Sequence, residues 1–184
     1  SLLGAIRHQG FIPWDDDADI ELARPEYAKL IKVLHEKKSE RYPVLDFLEV
    51  ETSRPYVRIY DSRTVNTSKH NIIHSEGVFL DIFPFDILPE TFEERQALKK
   101  QLQKEEIRLR QANSRGLSYA SSSKQWIFFA KSILWFPAHL MSKGKYFERA
   151  KHYNELMQQY NVSDSKVTGF ALSFYDSAAF PKEM

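Results

Sequence analysis

Ser1-Leu-Leu-Gly-Ala-Ile-Arg-His-Gln-Gly-Phe-Ile-Pro-Trp-Asp-Asp-Asp-Ala-Asp-Ile20 opens the chain, and its second half decides how the rest is read. Residues 1 to 8 have the pattern of a short helix. Gly10 to Trp14 form a loop, since Pro13 lacks the N–H that a helix interior needs. Asp15, Asp16, Asp17 and Asp19 then lead into Ile20-Glu21-Leu22, a strand. Four carboxylates in five positions repel one another and raise one another's pKa values, an arrangement that a cation relieves. In extended chain the period of two places Asp15, Asp17 and Asp19 on one face, with Asp16 pointing away and Ala18 and Ile20 toward the core.

Working outward, Arg24-Pro25-Glu26 starts a helix with Pro in its first turn, and Tyr27, Leu30, Ile31 and Leu34 form its buried stripe up to about Lys38. Three strand-like runs follow, at 44 to 51, 56 to 61 and 77 to 83, the last ending at Pro84. Thr91-Phe-Glu-Glu94 has the spacing of a capping box and opens a helix to about Asn113, with Lys99, Lys100, Lys104, Arg108 and Arg110 as its solvated face. Two more helices are expected near 124 to 140 and 143 to 160, the second with Tyr146, Ala150, Tyr153, Met157 and Tyr160 on one stripe. The fold class is therefore α+β, with a small mixed β-sheet in the front half and a helical back half.

Asp81 stands in the apolar run Phe79-Leu-Asp-Ile-Phe83, where an unpaired carboxylate would be costly to bury. Two readings compete. Asp81 joins the first cluster as a ligand of Mg²⁺ or Mn²⁺, giving a hard-oxygen site for phosphoryl chemistry; or it pairs with Arg58 on a neighbouring strand. The metal reading is preferred, with Asp15, Asp17, Asp19 and Asp81 as ligands. On that reading Asp17→Asn or Asp81→Asn removes turnover and leaves stability level or higher.

An EF-hand loop fits Asp15, Asp17, Asp19 and Glu26 at its ligand positions, yet Ile20 occupies the place that demands Gly. An Asp-x-Asp sugar-nucleotide glycosyltransferase, a solvated acidic loop and a non-catalytic binding module also compete for the acidic cluster. His70 and His74 at a spacing of four read as ordinary loop histidines rather than zinc ligands.

Composition narrows the classes. The chain has 184 residues, 42% of them hydrophobic, enough for one domain with a real core. Its 26 Lys and Arg against 25 Asp and Glu give no global field for nucleic acid, and the absence of Cys excludes disulfides and thiolate chemistry. Trp126 to Met141, interrupted by Lys131, Pro137 and His139, is shorter than the ~20 residues of a membrane span. It reads as a core helix, with an interfacial helix as the alternative, so a cytoplasmic location is expected and peripheral membrane contact is a secondary expectation.

Residues 1 to 20 resemble the signature block of the LicD phosphotransferase family, and Arg58-Ile-Tyr-Asp-Ser-Arg-Thr64 and Gly77-Val-Phe-Leu-Asp-Ile-Phe-Pro-Phe-Asp86 resemble its next two blocks in order and spacing. The resemblance covers about the first ninety residues, with Phe180-Pro181 similar to the start of a later block. It implies a nucleotidyltransferase-like fold in which a Gly-Ser or Gly-Thr turn at a helix start holds donor phosphate. On the resemblance Ser1 would be the last residue of that turn; with a helix pattern beginning at residue 1 and no closing signal at Met184, the chain is expected to be a piece of a larger unit at both ends. Ser1, Gly4, Arg7, His8 and Arg58 are expected at the donor, and Asp17, Asp19 and Asp81 at the chemistry. Arg7 and His8 could equally cap their own helix.

The implied reaction is metal-dependent transfer of a phospho-alcohol, phosphocholine first, from a CDP-linked donor to a hydroxyl of teichoic acid or lipopolysaccharide. CDP-ribitol and CDP-glycerol are alternative donors. Trp14, Tyr56, Tyr60 and Phe79 are the aromatic faces available to a choline cation.

Overall fold

A computed structural model describes residues 4–13, 18–52, 54–65, 77–114, 116–120, 122, 124–172 and 179–181. Their backbone builds a six-stranded mixed sheet backed by helices, an α+β architecture. The centre is β4 (Phe79–Leu88), long enough to serve three neighbours. Along one edge it pairs in parallel with β1 (Asp19–Ala23), and along the other it pairs antiparallel with β3 (Val57–Tyr60), itself paired to the short β2 (Val44–Leu45). Beyond Asp86 it pairs antiparallel with β5 (Val167–Gly169), which is followed by β6 (Ala179–Pro181).

Two boundaries differ from the sequence reading. The run at 44 to 51 is mostly turn after Leu45: the Asp46 carboxylate accepts from the Leu48 amide at 2.9 Å and its carbonyl from Val50 at 2.8 Å. The strand from 79 does not stop at Pro84. The Asp81 amide donates to the Ala18 carbonyl on the β1 side, so by alternation the nitrogen of residue 84 faces the β3 side. There β3 has already ended, its last partner being Ile82, and the absent N–H forfeits no ladder bond. The mainly helical back half also returns β5 and β6 to the sheet, two strands too short and too irregular to stand out in the sequence.

α1 (Arg24–Lys37) covers one face of the sheet, where Tyr27, Val57 and Ile82 are buried with Leu22, Leu30, Ile31 and Leu34 packed around them. A second core lies between α2 (Phe92–Ala112) and α5 (Tyr146–Gln158): Leu98, Leu102 and Leu109 meet Tyr146, Ala150, Tyr153 and Met157, with Leu88 joining from β4 and Phe47 from the turn after β2. The stripe expected on α5 is the one buried, Tyr160 only partly.

Thr91 caps α2, accepting from the Glu94 amide at 3.3 Å and donating to its carboxylate at 2.7 Å. The single helix expected from 124 to 140 is two, α3 (Gln125–Leu134) and α4 (Phe136–Ser142), which meet at Trp135 because Pro137 cannot continue the α3 ladder.

The two later signature blocks touch where β4 begins. Val78 donates its amide to the Thr64 hydroxyl at 2.7 Å, and Asp61 donates its own to the Val78 carbonyl at 2.9 Å. A Cβ on Gly77 would collide with the Asp61 carbonyl and the Thr64 hydroxyl, so only glycine fits there.

Candidate active site

β1 and β4 run parallel with Asp19 in register with Asp81, and β3 brings Arg58 into register with Asp81 from the other side. Three charged residues thus sit side by side across three strands, at a strand spacing of about 4.8 Å. Residues in register project to the same face, so the two carboxylates share the face opposite α1. Of the four acids expected at the metal, these two are the ones among the described residues.

Arg58 and Asp81 are buried and form a bidentate fork, with Nε donating to Oδ1 at 2.5 Å and Nη2 to Oδ2 at 2.7 Å. The pairing that the sequence reading set second is therefore present. It leaves room for a cation in principle, since a carboxylate offers about four lone-pair directions and the fork engages two. The Arg58 guanidinium faces Asp81 rather than open space, and its carbon lies 3.4 Å from the centre of the Phe79 ring. That face of the Phe79 ring is therefore taken by Arg58.

Tyr56, just before β3, packs edge-on against Phe83, and Phe83 against Phe170, each with centroids 4.7 Å apart. Its hydroxyl is pushed up to about 12, first by burial and then by the negative charge of Asp81, with Asp19 adding a smaller push and Arg54 and Arg58 opposing. A phenol beside both carboxylates therefore stays protonated and remains a hydrogen-bond donor at neutral pH.

Glu21 extends the face. It lies two residues beyond Asp19 on β1, and burial raises its carboxyl above the ordinary value. The sequence carried a signal for it, because the period of two that links Asp15, Asp17 and Asp19 reaches Glu21 next. Ile20 and Leu22 alternate inward as expected, but Ala18 is exposed, since the pairing of β1 begins only at Asp19.

Gly4, Arg7 and His8 belong to a π-helical turn (Gly4–His8) with Gly4 buried, Arg7 exposed and His8 partly buried. Both basic residues occupy its last turn, where they meet the negative end of the helix dipole. Gln9 follows with φ of 50°, and the Gly10 amide donates to the Gly4 carbonyl at 3.2 Å. Ser1, Trp14, Asp15, Asp16, Asp17, His70 and His74 lie outside the described residues. Among the described residues no three His, Cys, Asp or Glu side chains form a metal-sized cluster. The cavities described are elsewhere, flanking His35 on α1: one of about 310 Å³ bordered by Pro43 and Val44, and one of about 440 Å³ bordered by Arg24 and Tyr27.

Asp86, the last acid of the third signature block, has a structural task. The Arg24 guanidinium forks onto it, with Nε at 2.7 Å, and Arg24 also reaches Asn154 at 3.3 Å. Asn161 donates to the same carboxylate at 2.7 Å and accepts from the Ile87 amide at 2.7 Å. The start of α1, the last residues of β4, α5 and the turn after it are joined through one buried acid.

No solved structure matches the chain. A curated relative, the lipopolysaccharide cholinephosphotransferase LicD of Haemophilus influenzae, is 27% identical over 191 aligned residues, covering all of this chain and 67% of the relative. The family described as "LicD/FKTN/FKRP, nucleotidyltransferase domain" matches residues 1–121, which include both in-register acids, Arg58 and all three signature blocks. By that match the chain belongs to the LicD/FKTN/FKRP nucleotidyltransferase-domain family.

Proposed function

We propose that this chain transfers a phospho-alcohol, phosphocholine first, from a CDP-linked donor to a hydroxyl of a cell-surface glycan such as lipopolysaccharide or teichoic acid. The observation that carries the reading is Asp19 in register with Asp81 on adjacent parallel strands, in a chain of this family. The substrate class follows from the name of the Haemophilus relative, a lipopolysaccharide cholinephosphotransferase.

The donor set suits a hard divalent cation: two carboxylates at one level on neighbouring strands, with a third, Glu21, farther along the same face. Asp19 and Asp81 would hold Mg²⁺ or Mn²⁺ together with Asp15 and Asp17. When bound, such a cation supplies charge neutralisation to the donor diphosphate. The remaining work falls to the protein. Arg58 fixes the Asp81 carboxylate in one orientation through two parallel hydrogen bonds. Tyr56, kept protonated, supplies a hydrogen bond to a phosphoryl oxygen. The acceptor hydroxyl oxygen attacks the phosphorus that bears the alcohol, the bond from that phosphorus to the CMP oxygen breaks, and the hydroxyl proton passes to a carboxylate of the same face.

The test is product release. The chain is incubated with Mg²⁺, lipopolysaccharide and, in turn, CDP-choline, CDP-ribitol, CDP-glycerol and UDP-sugars. CMP from CDP-choline is the expected product, and Asp19→Asn is expected to reduce it by orders of magnitude while the circular dichroism of the fold is kept. UDP released from a sugar donor would move the chain to the glycosyltransferases, and undiminished CMP release by Asp19→Asn would remove the acidic face from the mechanism.

A further inference from the structure

The kinked pair α3 and α4 departs most from the sequence reading. Expected in the core, α3 has no buried residue. Trp126, Phe129 and Ile133 recur at helical spacing along its outer side, Leu134 adds to them at its end, and Leu140 and Met141 are exposed on α4. Ile133, Leu134 and Met141 are 74%, 75% and 78% exposed. Isolated apolar side chains on a surface are ordinary, but a contiguous set of this size marks an interaction surface.

The pair is anchored through its other side. Tyr119 donates its hydroxyl to the Ser132 carbonyl at 2.9 Å and stacks on His139 with centroids 4.5 Å apart, and His139 Nδ1 lies 2.7 Å from the Gln111 carbonyl oxygen on α2. The apolar side is held outward by contacts that fix the opposite one, so its exposure is built into the fold.

Charge identifies the partner. From Ile107 to Phe147 the sequence contains no Asp or Glu, and the two helices carry or are flanked by Lys124, Lys131, Lys143 and Lys145. Lys124, Lys143 and Lys145 are exposed at the two ends of the pair, and Lys131 lies 4.9 Å over the Trp135 ring. An overall charge of +1 thus conceals a stretch that is apolar in the middle, edged with lysine and without an acid of its own. Aromatic and aliphatic side chains flanked by lysines suit the boundary between acyl chains and anionic headgroups. A second copy fits poorly, because a two-fold interface here would set lysines against lysines. No helix among the described residues is long and apolar enough to cross a membrane, which leaves contact in the plane of the surface.

We infer that the kinked α3–α4 pair is a membrane-docking surface that inserts Trp126, Phe129, Ile133 and Leu140 into the headgroup boundary of an anionic bilayer. The inference does not depend on which donor the chain uses, because its test reads binding and not turnover.

The 184-residue chain is mixed with phosphatidylcholine vesicles, and separately with vesicles of phosphatidylcholine and phosphatidylglycerol, then separated by flotation. Binding to the anionic vesicles is expected, falling as salt rises, with a blue shift of tryptophan emission that Trp126→Phe reduces. Phe129→Glu with Ile133→Glu should lower the bound fraction at least about tenfold, and Lys143→Glu with Lys145→Glu should do so at low salt. These side chains are exposed, so the variants should keep the parent circular dichroism and thermal midpoint. No flotation with anionic vesicles, equal binding to neutral ones, or binding indifferent to the Glu substitutions would overturn the inference. So would a dimer in sedimentation velocity that Phe129→Glu with Ile133→Glu splits while vesicles bind nothing.

Discussion

Arg58 changes what Asp81 means. Read from the sequence as one more repelled acid, Asp81 invites the expectation that Asp81→Asn leaves stability level or higher. In the fold it is one half of a buried fork, and neutralising it removes the charged partner of both hydrogen bonds that a buried guanidinium makes to it. Asp81→Asn and Arg58→Met are therefore each expected to destabilise by about 3–5 kcal/mol, and a double replacement by apolar residues of similar volume to recover much of that loss. Urea unfolding of the two single variants and the double checks it. Additive losses in the double variant would mean that the two residues do not act as a pair. The same geometry shows why the sequence could not decide between metal and Arg58: strand order and register bring both Asp19 and Arg58 to Asp81, and no spacing along the chain records which side each occupies.

At the scale of the element, α5 shows how fully a period can specify burial and how little it says about polar tips. Tyr146, Ala150, Tyr153 and Met157 are buried as their spacing requires. Yet the two tyrosines end differently. Tyr146 exchanges hydrogen bonds with the Thr52 backbone, accepting from its amide and donating to its carbonyl at 3.0 Å each. The Tyr153 hydroxyl has no protein partner among the described residues, and its pKa is pushed well above the ordinary value, first by burial and then by Glu106, with Arg110 opposing.

Burying an unmet hydroxyl opposes folding, so Tyr153→Phe is expected to be neutral or to stabilise by about 1 kcal/mol in thermal or urea unfolding, whereas Tyr146→Phe destabilises by a similar amount. The raised phenol also fixes a sign with pH. The folded state holds the Tyr153 proton more tightly than the unfolded chain, so stability is unaffected below the ordinary tyrosine value and falls as pH rises above 10. Stability curves measured from about pH 8 to 11 should fall less steeply for Tyr153→Phe than for the parent chain.

For the whole molecule, the join between the acidic sheet and the helical layer is the buried network around Asp86, with Phe47 and Leu88 contributing to the second core. Arg24→Met strips Asp86 of its main counter-charge and should cost about 3–5 kcal/mol. Because the network ties α1, β4 and α5 together, far-ultraviolet and near-ultraviolet transitions should coincide in the parent chain. Separate transitions there would show that the two layers unfold independently and that Asp86 does not couple them.

What the sequence determined by itself is local: the helix starting at Arg24, the Thr91 cap, the α5 stripe, the inward turn of Ile20 and Leu22, and the signature blocks that mark the family. Each depends on periods, caps and residue order between positions near in the chain. What only the tertiary structure decided is which distant residues meet: Arg58 with Asp81, Gly77 against Asp61 and Thr64, Pro84 at a gap in the ladder, β5 returning to β4, and the apolar side of α3 facing outward. A period tells a helix which residues share a side, but what covers that side is settled by the packing of every other element against it, and that information is spread over the whole chain.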